Sequence, residues 1–380
     1  MTGRAMPARL RPLILACLLV PVLSACQDAG PAKPAPLTEA ALAAVDRNPG
    51  VGREKLARAI DSLFADPAAG DTHAVVVLHE GRVIAERYGE GFNRDTRLLG
   101  WSMSKTITGL MIGQLVADGR LRLDESAPVP AWQRNGDPRG EITLRQLLQM
   151  RSGLRHVETA DPVYAADTVR MLFLDGRNDM AAYAEAQPLE AEPGRQFEYS
   201  SGSSVILADL AAGALSLQRD PRARQAAVAD YLRARLFEPL GMRSATPEFD
   251  AAGTFIGSSM VHATARDWGK LGEFLRNHGS YRGSQLVPRV WIDFMTRPSP
   301  RNPGYGAQLW LNRPQSDGED VLFPGKARGD LFAAVGHLGQ YVIVSPAQKL
   351  TVVRMGHSDE AERAGVRAHL AEIIALFPAG

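Results

Sequence analysis

Ser102 and Lys105 stand three residues apart in the stretch WSMSKTITGLMIG. A serine hydroxyl is a poor nucleophile until something takes its proton. A neutral lysine can take it, and on a helix a spacing of three puts both side chains on one face, about 5–6 Å apart at Cβ. Burial favours the neutral amine because desolvation penalises the charged form. Arginine could not serve, since it keeps its proton. The chain holds six lysines against 37 arginines, and only Lys105 follows a serine by three. A serine at a helix N-terminus also gains from the dipole as negative charge develops. The bland alternative is a serine N-cap with a lysine on a wet face, and the apolar run after Lys105 speaks against it. Ser104 is a second hydroxyl, but neighbouring side chains on a helix diverge, so Ser102 is preferred.

Two further patches carry chemistry. PGRQFEYSSG (193–202) places Tyr199 at the mouth of a helix after a Pro-Gly turn. A phenol beside an ammonium ionises below its ordinary pKa of ~10. AAVGHLGQYVIVSP (333–346) sets His337 and Gly339 at the start of a strand. Gly339 would let a substrate approach the backbone closely. The other histidines are scattered without ligand spacing, so neither a metal nor a cofactor is expected. No G-x-S-x-G elbow is present. A net charge of +1 and the lack of a basic stripe exclude nucleic acid as a partner.

The elements that must hold these groups can be read around them. HAVVVLHEGRVIAERYGEG predicts a hairpin, Ala74–Leu78 and Val83–Tyr88, turning at Glu80-Gly81. The spacing of Ile107, Leu110, Met111, Leu115 and Val116 predicts an amphipathic helix over Gly100–Leu121, ending near Asp118-Gly119. ITLRQLLQMRSGL (142–154) predicts a second helix, capped near Thr143 and stopped by Gly153. Helices are expected near 178–186, 201–216, 223–237, 264–278 and 289–295. A second hairpin follows in QYVIVSP and KLTVVRMG, and a last helix runs from about Asp359 to Leu376 with Ser358 as N-cap. Strands at both ends with helices between suggest one antiparallel sheet, covered by helices and facing a helical lobe across a cleft.

The N-terminus reads as an export signal. Arg4, Arg9 and Arg11 precede the apolar LILACLLVPVL, and LSAC ends it at Cys26. Apolar-small-small-Cys resembles a bacterial lipobox, in which Cys26 is lipidated after residues 1–25 are removed; cleavage near Ala25 with Cys26 incidental is the alternative. The expected product is anchored by lipid on the periplasmic face of the outer membrane. Residues 26–38 form a Pro/Ala tether. Cys17 and Cys26 are the only cysteines, so the folded region has no disulfide framework.

The order S-x-x-K, Tyr-x-x, x-x-Gly resembles the serine β-lactamase and penicillin-binding-protein superfamily. The resemblance covers roughly His73 to Phe377 and includes EPGRQFEYSSG, LFEPLGM and ATARDWGKLGEFL. WSMSKTITGLMIG and GHLGQYVIVSP are most similar to the 6-aminohexanoate-dimer hydrolase and class C-like esterase branch. It implies an α/β (α+β) β-lactamase-like domain at 39–380, with a sheet lobe at 39–100 and 300–380 and a helical lobe at 101–299. It implies Ser102 as the acylated nucleophile, Lys105 as its proton partner and Tyr199 as general base, later the acid for the leaving group. The backbone N–H groups of Ser102 and Gln340 would form the oxyanion hole, a donor of which is worth ~3 kcal/mol in the transition state. His337 and Gly339 replace a Lys-Thr-Gly strand, and Ser201 stands where lactamases carry Asn. A largely neutral histidine binds a carboxylate poorly. The expectation is a serine hydrolase acting on an ester or simple amide. The alternatives are a D-alanyl-D-alanine peptidase or β-lactamase, and a non-catalytic cell-wall or peptide binder of the same fold.

Overall fold

The computed structural model describes residues 36–316 and 318–379. The expected signal segment, Cys26 and nearly all of the tether lie outside the described residues.

Helices α1 (Glu39–Ala43) and α2 (Arg53–Ala65) lead into strands β1 (Asp71–His79), β2 (Arg82–Tyr88) and the short β3 (Leu98–Leu99). A single 3-10 turn, Trp101–Met103, opens α3 (Ser104–Ala117). Then come α4 (Leu144–Leu148), α5 (Asp167–Phe173), α6 (Met180–Glu185) and α7 (Ser201–Leu215). Helix α8 (Pro221–Leu232) passes through a π turn, Arg233–Phe237, into α9 (Glu238–Leu240). Strands β4 (Thr246–Pro247) and β5 (Val261–Ala263) precede α10 (Ala265–Arg276). The minor hairpin β6 (Ser280–Tyr281) and β7 (Ser284–Gln285), then α11 (Arg289–Met295), lead to β8 (Trp310–Leu311), β9 (Phe332–Gly336), β10 (Gln340–Ser345), β11 (Leu350–His357) and α12 (Arg363–Ala375).

The main sheet has the order β2-β1-β11-β10-β9-β8, antiparallel throughout, so the N-terminal hairpin joins the C-terminal strands through the β1–β11 pair. Alternation along β1 explains why its sequence is apolar without a break. Val75 and Val77 face a core closed by α2 and α12. Ala74, Val76 and Leu78 face the larger core on the other side. A strand buried on both faces has no wet positions to mark its period.

Several elements depart from expectation. Helix α3 is not amphipathic: from Ser104 to Leu115 every residue is buried, and such a helix runs through a core instead of along its edge. Its hydroxyls pair outward to satisfy themselves, Thr106 Oγ1 donating to Gln308 O and Thr108 Oγ1 to Gly257 O. The second helix is only Leu144–Leu148. Thr143 and Gln146 form a capping box at its start, and Met150, at φ 56°, turns the chain away. Helix α10 belongs to the sheet lobe, not the helical one. Gly269 and Gly272 bring it so close to the sheet that an added Cβ would strike Leu78 and Thr351.

The last helix begins at Arg363, and Ser358 does not cap it. Ser358 Oγ donates to Ala69 O and accepts from Arg354 Nη2. Arg354, fully buried on β11, also donates to the carbonyls of Ala69, Asp71, Leu338 and Gly339 and to Thr72 Oγ1. One guanidinium therefore ties the chain before β1 to the β9–β10 turn. Ala69 O and Leu338 O keep Ser358 and Gln340 as donors, but each group that its replacement does orphan costs about 1–3 kcal/mol. Arg354→Leu is expected to lose roughly 3 kcal/mol or more, read as a lower urea midpoint.

Candidate active site

Ser102 is presented from a constrained turn. Strand β3 stops at Leu99, and Gly100 N donates to Val261 O at 2.9 Å. Trp101 then takes φ 48°, a left-handed conformation that is uncommon for a bulky residue. Residue 100 must be glycine because a Cβ there would lie 2.3 Å from the Trp268 ring. Gly336, at the end of β9, is equally constrained: its Cβ would lie 2.3 Å from Gly100 O. These two close approaches set the end of β9 against the serine turn.

Lys105 Nζ lies 3.0 Å from Ser102 Oγ, 2.9 Å from Ser201 Oγ and 3.0 Å from Ser258 O. The side chain is 1% exposed, and burial pulls its pKa down to about 8, against the upward pull of Glu158. An ammonium has three protons, and three oxygens receive them. The neutral amine has two protons and one lone pair. Ser258 contributes a carbonyl, which can only accept. Ser201 Oγ gives its own proton to Glu158 Oε1 at 2.7 Å, so it too must accept from Lys105. Of the three oxygens, only Ser102 Oγ is left to offer a proton to the lone pair.

Glu158 escaped the sequence reading. Its carboxylate also accepts from Ser201 N at 2.8 Å and Thr168 Oγ1 at 2.9 Å, and His156 Nε2 lies 2.8 Å from Oε2. Burial works to raise its pKa, but His156, Lys105 and Ser201 outweigh it and hold the group down to about 2. The side chain keeps 23% of its surface exposed, at the cleft wall. Nothing in RHVETADPVY marked it, since a Glu in a loop is ordinary and the partners that tie it to the serine and lysine, Ser201 and Lys105, are 43 and 53 residues away. Ser201, at the first position of α7, is the hinge of this network; Ser200 caps the helix by accepting from Ser203 N.

Tyr199 lies just before that cap. The Lys105 Nζ sits 4.9 Å from its ring centroid, while the ring stacks on Trp310 at 5.1 Å and meets Tyr305 edge-on at 5.8 Å. The phenol does not ionise more easily, as its cationic neighbour suggested. Burial and the Glu158 charge push its pKa well up, and the hydrogen bond with the Ser102 hydroxyl offsets them only in part. The ammonium faces the ring and spends its protons elsewhere. Tyr199 is therefore a protonated phenol at neutral pH, and Lys105 is the group that can be an unprotonated base.

His337, Gly339 and Gln340 separate. His337 lines the cleft with Ser102, its ring edge-on to Trp101 at 5.4 Å. Burial, then Arg363 and His357, lower its pKa and keep it neutral. Gly339 and Gln340 belong to the hairpin behind it. Leu338 and Gly339 turn with φ 61° and 78°, and a Cβ on Gly339 would meet Arg354. Gln340 pairs with Gly336 and is buried; its amide donates to His337 O, Leu338 O and Gly356 O. Both residues shape the turn, and the chain position beside Ser102 falls to His337. The linear motif could not show this, because it did not reveal that H-L-G is the bend and not the strand. Ser104, the rival hydroxyl, is buried and accepts from Val261 N at 3.0 Å.

The pattern of the beta-lactamase family matches residues 60–376. The chain belongs to that family. It is 27% identical over 230 residues to the 6-aminohexanoate-dimer hydrolase of Paenarthrobacter ureafaciens, a match covering 58% of this chain and 56% of that protein. The match thus spans little more than half the length of that relative. A Bacillus anthracis protein assigned as a 6-aminohexanoate-dimer hydrolase superposes with a TM-score of 0.65 at 23% identity, covering 84% of this chain and 83% of its own. A family VIII carboxylesterase superposes with a TM-score of 0.60 at 16% identity, covering 86% and 98%. Likeness at these identities establishes the β-lactamase-like fold.

If the neutral amine is the working base, kcat/KM rises with pH and levels off above about 8, since Lys105 is protonated below that value. Glu158→Gln removes a charge that raises the Lys105 pKa. The inflection is expected to move to lower pH, and the plateau to fall at least ~10-fold, because an amide has one acceptor oxygen and cannot accept from Ser201 Oγ and from Ser201 N and Thr168 together. A pH–rate profile of both proteins reads the two effects separately.

Proposed function

We propose that this protein is a serine hydrolase that cleaves an ester or a simple amide through an acyl-Ser102 intermediate. The observation that carries the reading is the 3.0 Å contact of a buried Lys105 amine with Ser102 Oγ, with its other two partners able only to accept. In acylation Ser102 gives its proton to Lys105 as Oγ attacks the carbonyl carbon. The backbone N–H groups of Ser102 and His337 are the proposed oxyanion donors, in place of Ser102 and Gln340. Tyr199 gives its proton to the leaving alkoxide or amine, and the new ammonium beside its ring stabilises the phenolate. In deacylation the phenolate takes a proton from water as the hydroxide attacks. Lys105 returns its proton to Ser102 Oγ, and both groups are restored. The two titrate as a coupled pair.

An ester or simple amide is favoured over a β-lactam because the cleft lining has no lysine or arginine to meet a substrate carboxylate, and burial keeps His337 neutral there. The expected attachment to the membrane is a lipid on Cys26, supported by the LSAC pattern alone.

A fluorophosphonate probe is expected to label the wild type and not Ser102→Ala; equal labelling of both would remove Ser102 as nucleophile. p-Nitrophenyl butyrate turnover should be clear and nitrocefin turnover feeble. Lys105→Arg is expected to lose ~10²–10⁴-fold in kcat/KM, as much as Lys105→Ala, because arginine supplies charge without a lone pair. On expression in a bacterial host the processed chain should begin at Cys26 and carry a lipid seen as added mass, and a processed chain of unmodified mass would refute the anchor.

A further inference from the structure

The cleft that opens onto Ser102 has a volume of about 380 Å³. Its far wall is built from one segment, the turn Val163–Ala165 with α5, and presents Val163, Ala166, Val169, Leu172 and Phe173. Among the described residues eight large hydrophobic side chains are exposed, and five of them (Val157, Val163, Tyr164, Phe173 and Leu174) fall within residues 157–174. Two of the five, Val163 and Phe173, line the cleft. Singly scattered exposed hydrophobics need no explanation, but exposed apolar side chains lining a cleft do. Charge in the cleft is one-sided. No arginine or lysine is among its lining residues, and the one carboxylate there, Glu158, already has its oxygens committed to Ser201, Thr168 and His156. His337 brings no positive charge at neutral pH. Along the cleft lining a substrate with an anionic end would meet a carboxylate and no lysine or arginine, since the Lys105 amine lies behind Ser102 with its hydrogen bonds already taken.

We propose that the substrate carries an uncharged apolar chain of several carbons, seated against Val163, Val169, Leu172 and Phe173, and that substrates with a terminal carboxylate are rejected. The inference rests on the hydrolase reading and narrows it to medium-chain esters or amides. A carboxylate-ended linear amide is then a poor substrate, whatever the likeness to 6-aminohexanoate-dimer hydrolases.

The test is kcat/KM of the full chain on p-nitrophenyl acetate, butyrate, hexanoate and octanoate, on alkyl acetates from methyl to hexyl, and on mono-p-nitrophenyl succinate beside the butyrate. Values should climb with chain length by up to about fourfold per methylene in one of the two series, which also tells whether the acyl or the alcohol side fills the cleft. The succinate should fall at least tenfold below the butyrate. Val169→Trp narrows the cleft and should cut the long-to-short ratio at least fivefold. Val163→Asp, at a position 65% exposed and so tolerant of change, should lower the same ratio if the first variant does not fold. Both series flat or falling with length, or a succinate rate matching the butyrate, overturns the apolar-chain proposal while leaving the hydrolase. No turnover of any ester, together with no labelling of Ser102, removes the hydrolase reading and this inference with it.

Discussion

A buried amine with one lone pair and a choice of three oxygens needs something to decide where that lone pair points. Here the decision is made by a carboxylate that never touches the amine. Glu158 takes the Ser201 proton, Ser201 is left as an acceptor, Ser258 is an acceptor by nature, and the lone pair is directed to Ser102. The same low-dielectric surroundings lower the amine to about 8 and make each of these hydrogen bonds costly to break. The Glu158 charge also acts against the phenol of Tyr199, holding it protonated. Burial thus sets the amine and the phenol apart, and the carboxylate directs the hydrogen bonds between them.

That arrangement depends on how closely two lobes of backbone can come together. Lys105 and Ser102 are on the helix that runs through the core. Ser201 starts another helix, Ser258 lies on a loop before β5, and His337 follows β9. Gly100 and Gly336 allow the serine turn to lie against both Trp268 and the sheet, and Trp101 takes a left-handed conformation between them. Strain of this kind, of order 1–3 kcal/mol, persists only where the surroundings over-determine it. Arg354 contributes from behind by tying the β9–β10 turn to the start of β1, so the strand end that carries His337 is held from both sides.

Much of the chemistry was legible without coordinates because it is local. Ser102 and Lys105 share one helical turn, Tyr199 and Ser201 share one helix mouth, and their spacing follows from backbone geometry alone. The hairpins and most helices were legible for the same reason. The reading failed where a segment's surroundings, not its own pattern, set its conformation. A few apolar positions of helix α3 fit the period of an amphipathic helix, but its polar residues are buried and paired to distant carbonyls. Helix α10 packs on the sheet, although its place in the chain puts it among the helices of the other lobe, because chain position does not say which face a helix covers.

Local side-chain chemistry marked a serine, a lysine and a phenol as candidates from sequence alone, and their motifs carried the resemblance to β-lactamase-like chains. The tertiary structure decided the rest: that Glu158 joins them, that His337 lines the cleft with Ser102 while Gln340 is buried in the hairpin behind it, and that burial raises the pKa of the phenol and lowers that of the amine. The physical reason is that proton affinity and hydrogen-bond direction are set by burial and by charges in contact through space. The pairs that join the site across the chain, Glu158 with Ser201 and Lys105 with Ser258, lie 43 and 153 residues apart.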